Sequence, residues 1–342
     1  STDGDPIGDP TGDPVVRNLW SLVWYTVSLR CGWIFKTESI VMPAVLDVMG
    51  GAGWLRGCLP MLNRLGQSVP PFLLSDRVRN ATYKKWIMIA SSMTMGGCFL
   101  ALSLLWLITG GEAVWYVPLI FLVIYAIFFA ATGINQMVVN TLIGKLIKTR
   151  RRGLLSLVGT GVGAFLAVLS AWWLLNRWLI DGPARGTESR FDLIFAFTGV
   201  MFIAAAVGGC WWKERPDPPN GPARPALQLI AASAKTLRSD RNFLLLAIIA
   251  GLFGMSITLF PHYQRMGRDR FDVGLLALIP WVLAQNIGAA VFSVPAGWAT
   301  DRFGTRLVLR TMLLIVCVAP ISALALSQFS LAGLEWYTGV FF

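Results

Sequence analysis

The sequence predicts an all-α membrane protein of about nine complete transmembrane helices and the start of a tenth. Three observations predict it. Apolar residues make up 55% of the chain and charged residues only 14%, where soluble domains carry roughly a quarter. Apolar runs of about 20 residues, enough to cross the hydrocarbon core of a bilayer, recur along the chain. The basic residues gather in short clusters between those runs.

Each element follows from the pattern. Residues 1–17 repeat Gly-Asp-Pro three times, and such a segment cannot bury a core, so an acidic, disordered tail is expected. Nine apolar spans follow, near Leu19–Val48, Trp54–Leu74, Trp86–Ile108, Val114–Ile147, Leu154–Leu175, Phe191–Trp212, Phe243–Tyr263, Val273–Ala299 and Leu307–Leu326. The first is over-long and holds Arg30, Lys36 and Glu38. A further run from Leu331 reads as the opening of a tenth helix, so a chain lacking its last transmembrane helices is expected. The longest polar gap, Lys213–Asn242, is rich in proline and glycine and reads as a linker. Within it, Ala226–Leu237 suits a short amphipathic helix on the membrane surface.

The net charge of +11 raises nucleic acid as a partner. No basic face with interleaved aromatics supports that, and the positive-inside rule explains the charge more economically. The connections after spans two, four, six and eight hold 18 Lys and Arg, and the opposite connections hold seven. That bias puts the N-terminus in the cytoplasm. The five cysteines lie in or beside apolar runs, His262 is the only histidine, and no metal-ligand spacing occurs; no metal site and no cofactor are expected.

The most specific motif is Gly297-Trp-Ala-Thr-Asp301-Arg302-Phe-Gly304-Thr-Arg306. Its glycines allow close helix packing and a tight turn, and its Asp suits a helix end or an arginine. Ser75-Asp76-Arg77-Val78-Arg79 repeats the Asp-Arg pair after span two. With these residues, the linker after six spans and the Arg150–Gly153 cluster, the chain resembles the major facilitator superfamily of transporters from about Leu19 to Phe342. The first copy departs from the pattern at Phe72 and Arg79, where glycine is usual. The resemblance implies a two-bundle fold around a central cavity, rocking between inward- and outward-facing states. The chain then divides into the tail (1–17), a first six-helix bundle (18–212), a cytoplasmic linker (213–241) and a partial second bundle (242–342). It also implies gating loops at Asp76, Arg77, Gly297, Asp301, Arg302, Gly304 and Arg306, with Arg150, Arg151 and Arg152 at the start of the fifth helix as the partner of Asp301.

Charged and amide side chains within the spans are the pathway candidates. Lys36, Glu38 and Arg64 lie on helices that line the cavity in the resembling family. Glu38 is expected near Lys36 or Arg64, either as a structural ion pair or as a group that binds solute or a proton. Asn135, Gln136 and Asn140 on span four, and Gln285 and Asn286 on span eight, either bond between helices or line a polar path. Gly159, Gly161 and Gly163 suit close packing of span five. His262 reads as an interfacial polar cap or a proton sensor.

The expected function is secondary active transport of a small solute by alternating access. No ATP-binding loop occurs, so an ion or solute gradient would drive it. The rival readings are a non-transporting relative, a sensor or assembly factor, and a polytopic membrane enzyme, for which no carboxylate or His/Ser cluster stands out. The expected partners are a small-molecule substrate, a coupling proton or ion, and the lipid bilayer. The expected state is a monomer in the cytoplasmic (inner) cell membrane. Cysteines placed at Arg150 and at Gly182 should label from opposite sides of the membrane; labelling of both from outside would refute the span count.

Overall fold

The computed structural model describes residues 14–37, 40–51, 53–110, 112, 114–147, 159, 161–175, 177–178, 190–218, 225–271 and 278–328. Among them there is helix and no strand. In chain order the helices are α1 (Pro14–Trp33), α2 (Val41–Val48), α3 (Gly53–Asn80), α4 (Lys84–Thr109), α5 (Val117–Leu146), α6 (Gly163–Leu175), α7 (Phe191–Cys210), α8 (Ala226–Ser239), α9 (Arg241–Ile257), α10 (Phe260–Phe271), α11 (Leu278–Phe303) and α12 (Thr305–Gln328). Among the described residues, four stretches are long and apolar enough to cross a membrane: Lys84–Thr109, Val117–Leu146, Phe191–Cys210 and Arg241–Tyr263.

Two expected spans are not single helices. The first breaks after Trp33 into a 3-10 turn, Ile34–Lys36, and resumes as α2. Pro43 suits the break: it has no N–H to give to a helical carbonyl, and its ring crowds a preceding turn. The Met42 N–H reaches the Thr37 carbonyl, five residues back, at 3.0 Å. The seventh span breaks at Thr258–Leu259, and α10 begins beside Pro261, which tolerates the first turn of a helix but not its interior. Arg265, Arg268 and Arg270 therefore lie on a helix rather than in a loop.

The two Asp-Arg motifs also differ from loops. Asp76, Arg77 and Arg79 occupy the last turns of α3. Gly297, Asp301 and Arg302 continue α11, and the chain turns only at Gly304, whose φ of 83° suits glycine.

α1, α4, α5 and α7 pack together, α3 lies on α5, and α6 lies on α1. The core is aromatic: Phe99 and Phe128 meet edge-to-face at 4.9 Å, and Phe202 sits 5.7 Å from Phe99 and 5.6 Å from Phe128. Two helix pairs touch backbone to backbone. A Cβ on Gly66 would lie 2.4 Å from the Phe129 Cβ, and one on Gly133 2.5 Å from the Gly66 carbonyl oxygen. Gly96 and Gly199 bring α4 and α7 together in the same reciprocal way, each 2.8–2.9 Å from the other's carbonyl oxygen. Without a hydrophobic drive between helices in lipid, such close contact supplies much of the attraction. On α6 and the turn before it, Gly159 meets Thr26 and Gly163 meets Arg30 and Val27, while Gly161 faces open space.

These contacts set the expected response to added volume. Gly66→Val should separate α3 from α5 and lower stability by about 1–3 kcal/mol, the usual range for overpacking. Gly161→Ala should leave the thermal unfolding midpoint of the detergent-solubilised protein unchanged. Equal midpoints for the two variants would contradict the packing described.

Candidate functional site

The two helix breaks face each other. Between them lies a cavity of about 270 Å³. Trp33, Lys36, Thr37 and Pro60 line it from the chain before the linker, and Ile257, Phe260, Pro261 and Gln285 from the chain after it. Breaking a helix within a membrane frees backbone groups that hydrocarbon cannot satisfy, so the unwound residues must lie in protein or beside a polar cavity. Both breaks here meet that condition.

Lys36 is 3% exposed. Its ammonium lies 4.1 Å from the centre of the Trp33 ring and 4.3 Å from that of Phe129, with Phe128 at 5.5 Å. Each such contact stabilises a buried cation by roughly 0.5–2 kcal/mol. The Gly66–Gly133 crossing holds Phe129 in place, because α3 presses on its backbone and Cβ. The Thr37 hydroxyl donates to the Ile34 carbonyl at 3.2 Å, securing the turn that carries Lys36.

An ionic group joins α2, α3 and α10. Asp47 on α2, with a side chain 4% exposed, accepts from Arg56 on α3 and meets Arg265 on α10 at 3.5 Å. Arg265 comes from beyond the linker, so this pair joins the two parts of the chain. His262 lies beside it, with its Nε2 positioned 3.6 Å from a Cβ built on Gly57.

A second ionic group sits at the opposite end of the bundle. The segment after α7 folds back on α4 and α5. The fully buried Glu214 carboxylate accepts from the Lys84 and Lys85 backbone N–H groups at 3.1 and 2.8 Å and from the Lys145 ammonium at 3.0 Å. It thereby caps the first turn of α4, where unpaired N–H groups and a partial positive charge favour an anion. Asp217 pairs with Lys84 and, at 2.9 Å, with Lys145. Asn18 on α1 and the Lys213 backbone exchange two hydrogen bonds of 2.9 and 3.1 Å. The Lys84 hydrogen bond, followed by that of Lys145, holds the Asp217 carboxyl below its usual range.

The structure sorts the sequence-derived candidates. Lys36 and Gln285 line the cavity. Arg64 does not lie inside the first bundle: it is exposed on α3, and its guanidinium stands 6.0 Å from the Phe253 ring of α9. Asn135 is buried among α1, α4 and α5, accepting from the Tyr25 hydroxyl, with its amide nitrogen 2.7 and 2.9 Å from the Ser92 and Ser91 hydroxyls. It ties helices together and does not reach the cavity. Gln136 and Asn140 share an exposed face of α5, and Asn286 donates within α11 to Val282 at 2.8 Å. Asp76 is buried and meets Arg79 at 3.5 Å. Glu38 and the Arg150–Arg152 cluster lie outside the described residues, as does the side chain of Asp301, so the expected Asp301 contact with the fifth helix lies there too.

The ring cage of Lys36, the Asp47 group and the Glu214 clasp are not evident from spacing. Their partners lie far apart in sequence, 218 residues in the case of Asp47 and Arg265. A signal for the cavity exists nonetheless in Pro43 and Pro261, which interrupt the first apolar span of each part of the chain.

Comparison with known families now adds to the geometry. The model of the Major Facilitator Superfamily matches residues 72–342. The chain belongs to that superfamily. It is thus a membrane-embedded member of a transporter family, and the cavity lies between parts of a transporter fold. No curated protein and no solved structure matches the chain.

The clasp makes two measurable statements. Glu214→Ala leaves the α4 N–H groups without their acceptor and Lys145 with Asp217 as its remaining carboxylate, so unfolding of the solubilised protein should become easier by about 1–3 kcal/mol, the usual cost of a buried donor left unsatisfied. The Asp217 carboxyl is depressed, so its contribution is complete above the unfolded value of about 3.9 and is lost as pH falls through the lower folded value. Stability measured across pH should therefore show an acid-side loss below about pH 4 that Asp217→Asn removes.

Proposed function

We propose that the protein carries a small solute across the cytoplasmic membrane by alternating access, driven by an ion or solute gradient, with its N-terminus in the cytoplasm. The observation that carries this reading is the cavity between the two helix breaks. Its walls come from both parts of the chain, so its contents exchange contacts when those parts move relative to each other. The Asp47–Arg265 pair crosses the same boundary. The positive-inside count assigns that pair to the outer face. In this reading the pair holds the outer side shut and releases when the cavity opens outward.

A transporter needs its two states close in free energy, because a difference of a few kcal/mol leaves the minor state barely populated. Losing a bridge worth roughly 0.2–1 kcal/mol shifts the two populations by up to about fivefold. A cysteine at Thr37 in a background without other reactive cysteines reports the opening through a membrane-impermeant thiol reagent. Asp47→Asn should raise its labelling rate from outside by up to about fivefold, and should lower labelling from the cytoplasmic side correspondingly. Labelling from one side alone, unchanged by Asp47→Asn or Arg265→Gln, would show a static cavity and remove the transport reading.

A further inference from the structure

We infer that α8 docks on an anionic lipid surface, through a strip of side chains that the rest of the protein leaves uncovered.

Position comes first. α8 ends at Ser239, and α9 begins at Arg241 inside a stretch long and apolar enough to cross a membrane. Asp240 alone separates them. It is extended, with φ −110° and ψ 106°, and its side chain accepts from the Asn242 and Phe243 N–H groups at 2.9 and 3.2 Å. An extended residue breaks the helical path, so α8 does not continue the axis of α9. A helix joined so closely to a spanning segment stays beside the membrane surface. α8 also touches the α3 helix, whose last turn carries Arg77 and Arg79.

The distribution of side chains comes second. Leu229 and Leu237 are half-buried. Leu227, Ile230, Ala231 and Ala234 share a neighbouring strip, at i, i+3, i+4 and i+7. All four are exposed, Leu227 to 80% and Ile230 to 49%. An apolar strip on a helix held at a bilayer surface is buried by settling into the headgroup and acyl boundary.

Charge comes third. Arg238 extends the strip one turn beyond Ala234, and Lys235 flanks it. Both are exposed, and neither meets a carboxylate among the described residues. α8 itself holds no Asp or Glu. Long cationic side chains at the edge of an apolar strip lay their stems along the boundary and raise their heads to phosphate. The join to α9 keeps a lipid surface permanently beside this strip, whereas a soluble partner has to be recruited.

Single cysteines replacing Ile230 and Ala234 on the strip, and Gln228 and Ala232 away from it, make the test. Each is placed in the full chain without other reactive cysteines and carries an environment-sensitive fluorophore. The protein is reconstituted in vesicles of phosphatidylcholine, and in vesicles of equal parts phosphatidylcholine and phosphatidylglycerol. In the mixed vesicles acrylamide, a neutral aqueous quencher, should reach the two strip positions far less than the other two. A lipid with a nitroxide near its headgroup should quench the strip positions. A basic residue near an anionic surface contributes roughly fivefold to docking. Lys235→Gln with Arg238→Gln should therefore raise the ratio of accessible to shielded strip label by about twentyfold. Phosphatidylcholine alone, or salt near about 1 M, where the Debye length is about 3 Å, should move the native charges the same way. The comparison of vesicles needs no charge replacement, so it decides even if the double variant does not fold. Equal acrylamide access at all four positions overturns the inference. Shielding that neither phosphatidylglycerol nor the charge replacements alter overturns it too. A strip closed to acrylamide yet untouched by the lipid nitroxide is covered by protein, and that result also overturns it.

Discussion

Backbone polar groups inside a bilayer must find partners within the protein, and that constraint organises the rest of this structure. A continuous helix meets it by itself. Pro43 and Pro261 deny it to two helices, and the freed turns must then turn inward. Both do, to the same place. The cavity, the buried position of Lys36 and the contact between the two parts of the chain follow from where those two prolines stand. Lys36 is held there by rings rather than by exposure to water: the 3-10 turn points it at Trp33 and Phe129, and Phe129 is fixed by the glycine crossing of α3 and α5.

Charge is sorted by depth. Acidic and basic groups pair at the two ends of the bundle, around Asp47 at one and around Glu214 and Asp217 at the other. Each end uses charge differently. Glu214 is fully enclosed and satisfies three donors, two of them backbone N–H groups at the start of α4. It fixes the segment after α7 to the bundle. Asp47 is enclosed as well, but one of its partners, Arg265, is 40% exposed.

The fold was largely legible in the sequence where apolar runs and one specific motif carried it. Gly297 to Arg306 pointed to the superfamily, and the family match to residues 72–342 agrees. Hydropathy reads the membrane helices but not their interruptions, because Ile34, Phe35, Val41 and Met42 stay apolar through the break. Proline was the readable sign, and its consequence depended on what lay opposite. The site was less legible. Lys36 could be singled out as a cation in an apolar run, yet Arg64, singled out on the same ground, lies exposed on α3. A charge in a span is costly only if the helix face carrying it is buried, and periodicity along α3, which holds three prolines, does not show which face that is. Asn135 and Gln136 are adjacent in sequence and part company for the same reason: one faces α1 and α4, and the other faces out.

The two ionic groups differ in strength in the sense that the proposed alternating access requires. Contacts that hold one moving body together must outlast those that join it to the other. The Glu214 clasp lies within the chain up to the linker, is enclosed, and combines ion pairs with a helix cap; losing Glu214 from it costs about 1–3 kcal/mol. The polar contacts that cross between the two parts are weaker in kind. Asp47 and Arg265 meet at 3.5 Å with the arginine partly in solvent, and such pairs contribute roughly 0.2–1 kcal/mol. Arg64 touches the Phe253 ring only at 6.0 Å, the outer limit of a cation–π contact. Apolar packing crosses as well, since Trp281 and Val282 are fully buried in the core cluster they share with Ala171 and Leu175 of α6. In the proposed transport reading, that packing is what must part when the two sides move, and the ion pair adds a smaller bias to it.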